Sequence, residues 1–174
     1  RALAAALLAS GRTTLRGIEL CRDTLSAIAT IKALGAEVEI ADDNTLYIDG
    51  GLEPRCRSLT VGESGLAARL FTPVASLHNE PITIEGEGTL LHRPMAMMVE
   101  PLQELGVKVR DGGGRLPIEV CGPMRGGRIT VDGSMSSQFV TGLLIALPMA
   151  ENDTTIVVEG AVSTPYLDMT LETI

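Results

Sequence analysis

Two short stretches of this chain bring together residue types that can hold an anion. They are TVGESGLAARLF (60–71) and VDGSMSSQFVTG (131–142). Each leaves a β-type segment, passes through glycine and serine, and enters an apolar run. A helix that starts there leaves its first backbone N–H groups unpaired and carries a partial positive charge. Glycine lets a ligand approach that backbone, and serine hydroxyls add donors. The same residue types are also ordinary N-caps, so each joint taken alone reads as a capped helix as well.

Arginines lie near both joints. Arg69 follows Gly65 by four residues inside an apolar stretch. It can snorkel to solvent, pair with an acid or face a ligand. Arg93 stands in LLHRPMAMM, directly before a proline. That proline predicts a helix starting at Pro94 with Arg93 just outside it. The guanidinium is then either solvated or a fork-shaped donor for carboxylate or phosphate. Glu63 is the carboxylate of interest, because it lies inside a glycine turn. The remaining carboxylates form no acid–base pair, and Asp168, read near the start of a helix, is explained by a dipole contact. His78 and His92 are lone histidines in loop-like segments and read as exposed. Cys21, Cys56 and Cys121 have no metal spacing and are expected to be reduced, buried thiols.

The elements that must position these residues follow one repeated plan. An apolar helix-like run is followed by a short β-type run ending in glycine: TTLRG, ITIEG, IVVEG. The glycines Gly17, Gly86 and Gly160 recur roughly every 70 residues, which suits a repeated α/β subdomain. A second helix follows and ends in Leu-Gly in the first two units, at Leu34-Gly35 and Leu105-Gly106, a C-cap signal. Strands AEVEI and VKVRD leave from there. ALAAALLA and VTGLLIALPMA are apolar nearly all round, which marks buried helices. The strand candidates TLYIDG, GRLPIEV and GRITVDG carry charge or alternate, which marks half-exposed sheets. The expected class is α/β with helices inside and sheets outside, the inverse of a doubly wound fold.

Bulk properties narrow the function. The 174 residues amount to one domain, 45% hydrophobic and 21% charged, with only 2% aromatics. The core must be Ala, Leu, Ile, Val and Met. A net charge of −8 with scattered basic residues argues against a nucleic-acid face. No apolar run approaches the ~18 residues of a membrane span, and no signal peptide is visible, so a cytoplasmic setting is expected. The third unit stops at LETI, short of the plan of the first two, so the chain reads as a fragment.

DGSMSSQF followed by an apolar helix resembles the signature of the 5-enolpyruvylshikimate-3-phosphate synthase family. RALAAALLASG, GESGLAARLF, the RPM of LLHRPMAMMVEPLQELG, and VSTPYLDMTLE fit the same family in the same order. The resemblance covers the whole chain. It implies an enolpyruvyl transferase-like inside-out α/β domain of repeated βαβαββ units, with residues 1–174 forming most of the N-terminal domain of a two-domain enzyme. The implied reaction is transfer of the enolpyruvyl group of phosphoenolpyruvate to the 5-hydroxyl of shikimate 3-phosphate, without metal or organic cofactor.

Residue by residue, the resemblance gives Ser136, Ser137 and Ser163 to the 3-phosphate and Arg1 to the shikimate carboxylate. Tyr166 would line that pocket. Gly65 and Arg93 would face phosphoenolpyruvate, and Gln138 would lie between the two substrates. Arg69 matches a family arginine. Glu63 departs from the usual asparagine; its charge should weaken anion binding or alter glyphosate sensitivity, unless it pairs with an arginine or is repurposed. The family's lysine and serine before Arg1 and its C-terminal domain are absent, so this chain is expected to be inactive alone. Two alternatives are the sister transferase acting on UDP-N-acetylglucosamine, whose reactive cysteine loop has no counterpart here, and a non-catalytic folding module.

Overall fold

Each apolar run becomes a helix, and the second and third are entered from a strand. In the computed structural model, which describes residues 1–41 and 43–174, the first unit is α1 (Ala2–Leu8), β1 (Arg12–Leu15), α2 (Arg22–Ala33), β2 (Glu37–Ile40) and β3 (Leu46–Asp49). The second opens with β4 (Ser58–Thr60) and continues with α3 (Gly65–Ala75), β5 (Ile82–Glu85), α4 (Val99–Glu104), β6 (Lys108–Asp111) and β7 (Ile118–Cys121). The third comprises β8 (Gly127–Asp132), α5 (Ser137–Ala146), β9 (Thr154–Glu159) and α6 (Thr164–Leu171). The second unit therefore carries the whole βαβαββ order. Gly35 and Gly106 follow α2 and α4 in the left-handed conformation (φ 123° and 85°), as their Leu-Gly signals predict.

Among the described residues three sheets result, ordered β1-β3-β2, β4-β5-β7-β6 and β8-β9. β4 runs parallel to β5 with Leu59 opposite Ile84, and β8 runs parallel to β9 with Val131 opposite Val158. The strand entering α3 or α5 thus pairs with the strand leaving it, and the helix is the crossover. Ile82 and Ile84 are buried while Glu85 is exposed, and Ile129 and Val131 are buried between exposed neighbours. Each sheet turns one face to the core and the other outward.

α3 and α5 form the centre. Ala67 to Ala75 of α3 are all buried, and Leu70, Phe71 and Val74 are at most 2% exposed. Burying each such side chain contributes about 1.5–3 kcal/mol. Pro73 inside α3 removes one donor, and the hydroxyls of Thr72 and Ser76 return bonds to the carbonyls of Ala68 (2.7 Å) and Thr72 (2.8 Å). α5 packs on α3 at Gly142, where a β-carbon would stand 2.8 Å from the Arg69 and Leu70 carbonyl oxygens. Only glycine allows that approach, which brings the start of α5 to the first turns of α3.

Four expectations need correction. α1 buries Ala4, Ala6 and Leu7 but is not covered all round; its other face lines an open apolar groove of about 680 Å³ with Ile145, Met149 and Ile174. No helix starts at Pro94. Arg93 closes a 3-10 turn, Gly88–His92, and the next helical residues are Ala96–Met98, leading into α4. The Pro94 carbonyl accepts from Arg69 (3.0 Å) and the Met95 N–H is donated to the Gly114 carbonyl (2.7 Å), so this backbone is committed elsewhere. Asp168 lies inside α6, not at its start. Cys21 and Cys56 are exposed and Cys121 half-buried; none is in a disulfide.

Candidate functional site

Gly65 is the first residue of α3, and three side chains converge on it. A β-carbon there would stand 2.9 Å from Arg93 Nη1, 3.0 Å from Arg69 Nη1 and 3.8 Å from Gln138 Oε1. Ser64 before it is a true N-cap: its hydroxyl accepts from the Ala67 N–H at 3.3 Å. This joint is therefore both capped and lined by cations.

Arg69 is held in place. It is 8% exposed, and it donates to Gln138 Oε1 (3.0 Å), to the Pro94 carbonyl (3.0 Å) and more weakly to the Gly65 carbonyl (3.5 Å). Its Nε is buried without a partner. Burial, and then the like charge of Arg93, lower the Arg69 pKa from its ordinary value; a guanidinium keeps its proton regardless. Neither arginine takes part in a salt bridge among the described residues. The ion pairs present there, Arg12–Glu39, Arg55–Glu37, Arg57–Glu80 and Arg110–Glu119, involve other arginines. Two guanidinium groups meeting without a carboxylate between them leave positive charge uncompensated, an arrangement suited to an anion.

Glu63 does not enter that space. Its carboxylate accepts from the Thr89 N–H (3.0 Å) and the Thr89 hydroxyl (3.1 Å). These bonds, helped by the charges of Arg22 and Arg93, hold its pKa below the ordinary value.

At the third joint the Asp132 carboxylate accepts from the Ser134 hydroxyl (2.6 Å) and N–H (2.9 Å), which fixes the turn and lowers the Asp132 pKa. Ser136 then occupies the N-cap position of α5, but its hydroxyl makes no capping bond. The side-chain cap that the residue types of this joint suggest is absent at Ser136, and the hydroxyl is left for another partner. Ser137 and Gln138 are half-buried beside it.

Arg1 and Tyr166 are also brought together. The Arg1 guanidinium lies 5.7 Å from the Tyr166 ring centroid, and it donates to the Tyr166 carbonyl (3.2 Å) and the Thr170 hydroxyl (2.9 Å). Thr170 meets Thr141 of α5 at 3.1 Å. Ser163 precedes α6 as its N-cap residue, again without a side-chain capping bond. A small cavity of about 50 Å³ lies between Arg1, Asp23, Ser64 and Ala67.

His92 is exposed, whereas His78 is half-buried, contrary to the reading of both as exposed. Burial, then Arg57, push the His78 pKa down. Neither histidine joins the groups above. Among the described residues no cluster of three or more His, Cys, Asp or Glu could hold a metal ion, and no helix is long and apolar enough to cross a membrane. Sequence reasoning missed Thr89, Thr141 and Thr170, whose partners are brought to them only by tertiary packing.

The EPSP synthase family model (3-phosphoshikimate 1-carboxyvinyltransferase) matches residues 1–174. A 3-phosphoshikimate 1-carboxyvinyltransferase of Methanocella arvoryzae is 37% identical over 164 residues, covering 91% of this chain and 39% of the relative. Those of Methanocorpusculum labreanum and Proteus mirabilis are each 35% identical and cover 98% of this chain and 42% of the relative. The chain thus spans about two fifths of the length of these curated relatives. A solved EPSP synthase from Acinetobacter baumannii superimposes with a TM-score of 0.79 at 23% identity, over 91% of this chain and 38% of that one, and shares the fold. On the match along its whole length, this chain belongs to the EPSP synthase family.

Proposed function

We propose that this chain is the shikimate-3-phosphate-binding half of an enolpyruvyl transferase, residues 1–174 forming most of an N-terminal domain. The carrying observation is the convergence of Arg69, Arg93 and Gln138 on Gly65 without a carboxylate partner. Arg93 and Gly65 take the phosphate end of phosphoenolpyruvate. Ser136, Ser137 and Ser163 hold the 3-phosphate of the second substrate through neutral donors, and Arg1 binds its carboxylate beside Tyr166. Gln138 bridges the two.

In the reaction the 5-hydroxyl gives up its proton as its oxygen bonds to C2 of phosphoenolpyruvate, and the methylene carbon takes up a proton to become a methyl group. The bond from C2 to the phosphate oxygen then breaks, inorganic phosphate leaves and the methyl group loses a proton, giving the enol ether. The residues above bind and orient; neutral donors at a helix start accept a dianion without many buried countercharges. Acid–base groups belong to the complementary domain, so the chain alone binds without turnover. A cytoplasmic setting accords with the free thiols. The curated relatives named above support this reading over the sister transferase.

The test is an NMR titration of the chain with shikimate 3-phosphate and phosphoenolpyruvate. Shifts at Ser136, Ser137, Gln138 and Gly65 are expected in the millimolar range. No shift at any of them, with no thermal stabilisation by either ligand, would leave a non-catalytic folding module as the reading.

A further inference from the structure

Glu63 raises a problem that its geometry resolves. It is an exposed carboxylate two residues from Gly65, close to the site read above as anionic-ligand binding. A charge placed there should repel the ligand. Yet Glu63 Oε2 takes both donors of Thr89, the N–H and the hydroxyl, across 26 residues of chain.

Thr89 is the second residue of the 3-10 turn Gly88–His92, and Arg93 is the residue that closes it. The turn is fixed inside by Leu90, which is fully buried, and Leu90 accepts from the Arg93 N–H at 3.0 Å. The Glu87 N–H is donated to the Gly62 carbonyl at 2.9 Å, a second tie between the two loops. Gly88 makes room for this arrangement: a β-carbon there would stand 2.4 Å from Glu63 Oε2, and its φ of +52° suits glycine. From Arg93 the guanidinium returns to Gly65. The path Glu63–Thr89–Arg93–Gly65 closes on itself.

We infer that Glu63 is a positioning residue: its carboxylate anchors the start of the 3-10 turn so that Arg93, at the other end, points at the anion site over Gly65. This rests on the reading of Gly65 and Arg93 as that site. The carboxylate acts as an acceptor for Thr89.

The sign of one mutation separates this role from simple repulsion. Glu63→Ala removes a negative charge, so repulsion alone predicts tighter phosphoenolpyruvate binding. Anchoring predicts weaker binding, by about tenfold, because a donor displaced by about an ångström loses most of its value. Glu63→Gln keeps an oxygen for Thr89 and should bind no more weakly than the parent. Gly88→Ala, whose β-carbon displaces the carboxylate, should behave like Glu63→Ala.

The experiment measures phosphoenolpyruvate affinity by NMR and, without ligand, the heteronuclear NOE of the Arg93 Nε–H group. Expected is a lower NOE in Glu63→Ala and Gly88→Ala and an unchanged one in Glu63→Gln, with amide spectra otherwise preserved. An Arg93 NOE unchanged in Glu63→Ala overturns the inference, as does unchanged or tighter binding by that variant. If the parent chain binds no phosphoenolpyruvate, the functional reading fails, and the ligand-free NOE still decides the anchoring.

Discussion

Arg69 fixes which way the Gln138 amide faces. A guanidinium only donates, so the atom 3.0 Å from Arg69 Nη1 must be the amide oxygen. The amide nitrogen, with its two hydrogens, then faces away from Arg69 and is free to donate. α3 thereby sets the chemistry that the first turn of α5 presents.

Arg69→Lys should therefore impair the site without removing its charge. An ammonium cannot reproduce three donations in fixed directions, and bonds to charged groups are each worth about 1.5–3 kcal/mol. We expect an affinity loss for phosphoenolpyruvate of at least tenfold and a denaturation free energy lowered by about 1–3 kcal/mol. Titration and urea unfolding of the variant check this.

Gly65→Ala separates binding from stability. The new β-carbon crowds the tips of two arginine side chains, at 2.9 and 3.0 Å, and meets the Gln138 amide oxygen at an ordinary 3.8 Å. The Arg93 tip can swing away, the hydrogen-bonded Arg69 tip must give by a few tenths of an ångström, and alanine is the better helix former by about 1 kcal/mol. Stability should change by less than about 1 kcal/mol while phosphoenolpyruvate affinity falls about tenfold. Retained affinity in a folded variant would place the anion elsewhere.

Gly142→Ala should do the reverse of a local change. Its β-carbon would meet backbone oxygens of α3 at 2.8 Å, and backbone cannot swing away. Overpacking of this kind costs about 1–3 kcal/mol. Urea unfolding should show that loss, and the Gln138 side-chain amide resonance should shift as α5 moves off Arg69.

Ser64→Ala and Ser136→Ala should part company. Ser64 is buried and caps α3, so its loss costs about 1 kcal/mol. The Ser136 hydroxyl caps nothing, so its loss should leave stability within about 0.5 kcal/mol and instead weaken shikimate 3-phosphate binding. Thermal melts and titrations of both variants make the comparison.

Acid should weaken the fold through Glu63 and Asp132. Both carboxyl pKa values are depressed on folding from ordinary values of 4.5 and 3.8, by the bonds from Thr89 and Ser134. Groups of this kind contribute stability that is complete above the unfolded-state value and is lost as pH falls through the folded one. The melting temperature should thus decline below about pH 4.5, and less steeply in a Glu63→Gln, Asp132→Asn double variant. Identical slopes would remove these two groups from the account.

Much of this was legible in the residues. The three-fold repetition, the two glycine–serine joints and the burial of α5 follow from local pattern, because helix period, strand alternation and C-cap glycines act over a few residues; the same pattern overstated the burial of α1. The contacts that make the site do not. Gln138 reaches Arg69 across 69 residues and Thr89 reaches Glu63 across 26. Pro94 read as a helix start because proline favours that position; the Arg69 bond to its carbonyl, which local sequence cannot reveal, decided otherwise. The joint before α5 read as a capped helix by composition, whereas the Ser136 backbone took the cap position and its hydroxyl did not.

The parallel pairing of β4 with β5, and of β8 with β9, has a bearing on how such a chain can be recombined. A cut placed directly before α3 or α5 would look natural, since each apolar helix opens a unit of the visible repeat. It would nonetheless tear away the strand on which the following sheet is laid down. Exchangeable blocks in this architecture begin one strand earlier, at Ser58 or Gly127. Chimeras joined there inherit whole sheets, and chimeras joined at the helices inherit a sheet with its first strand from a stranger.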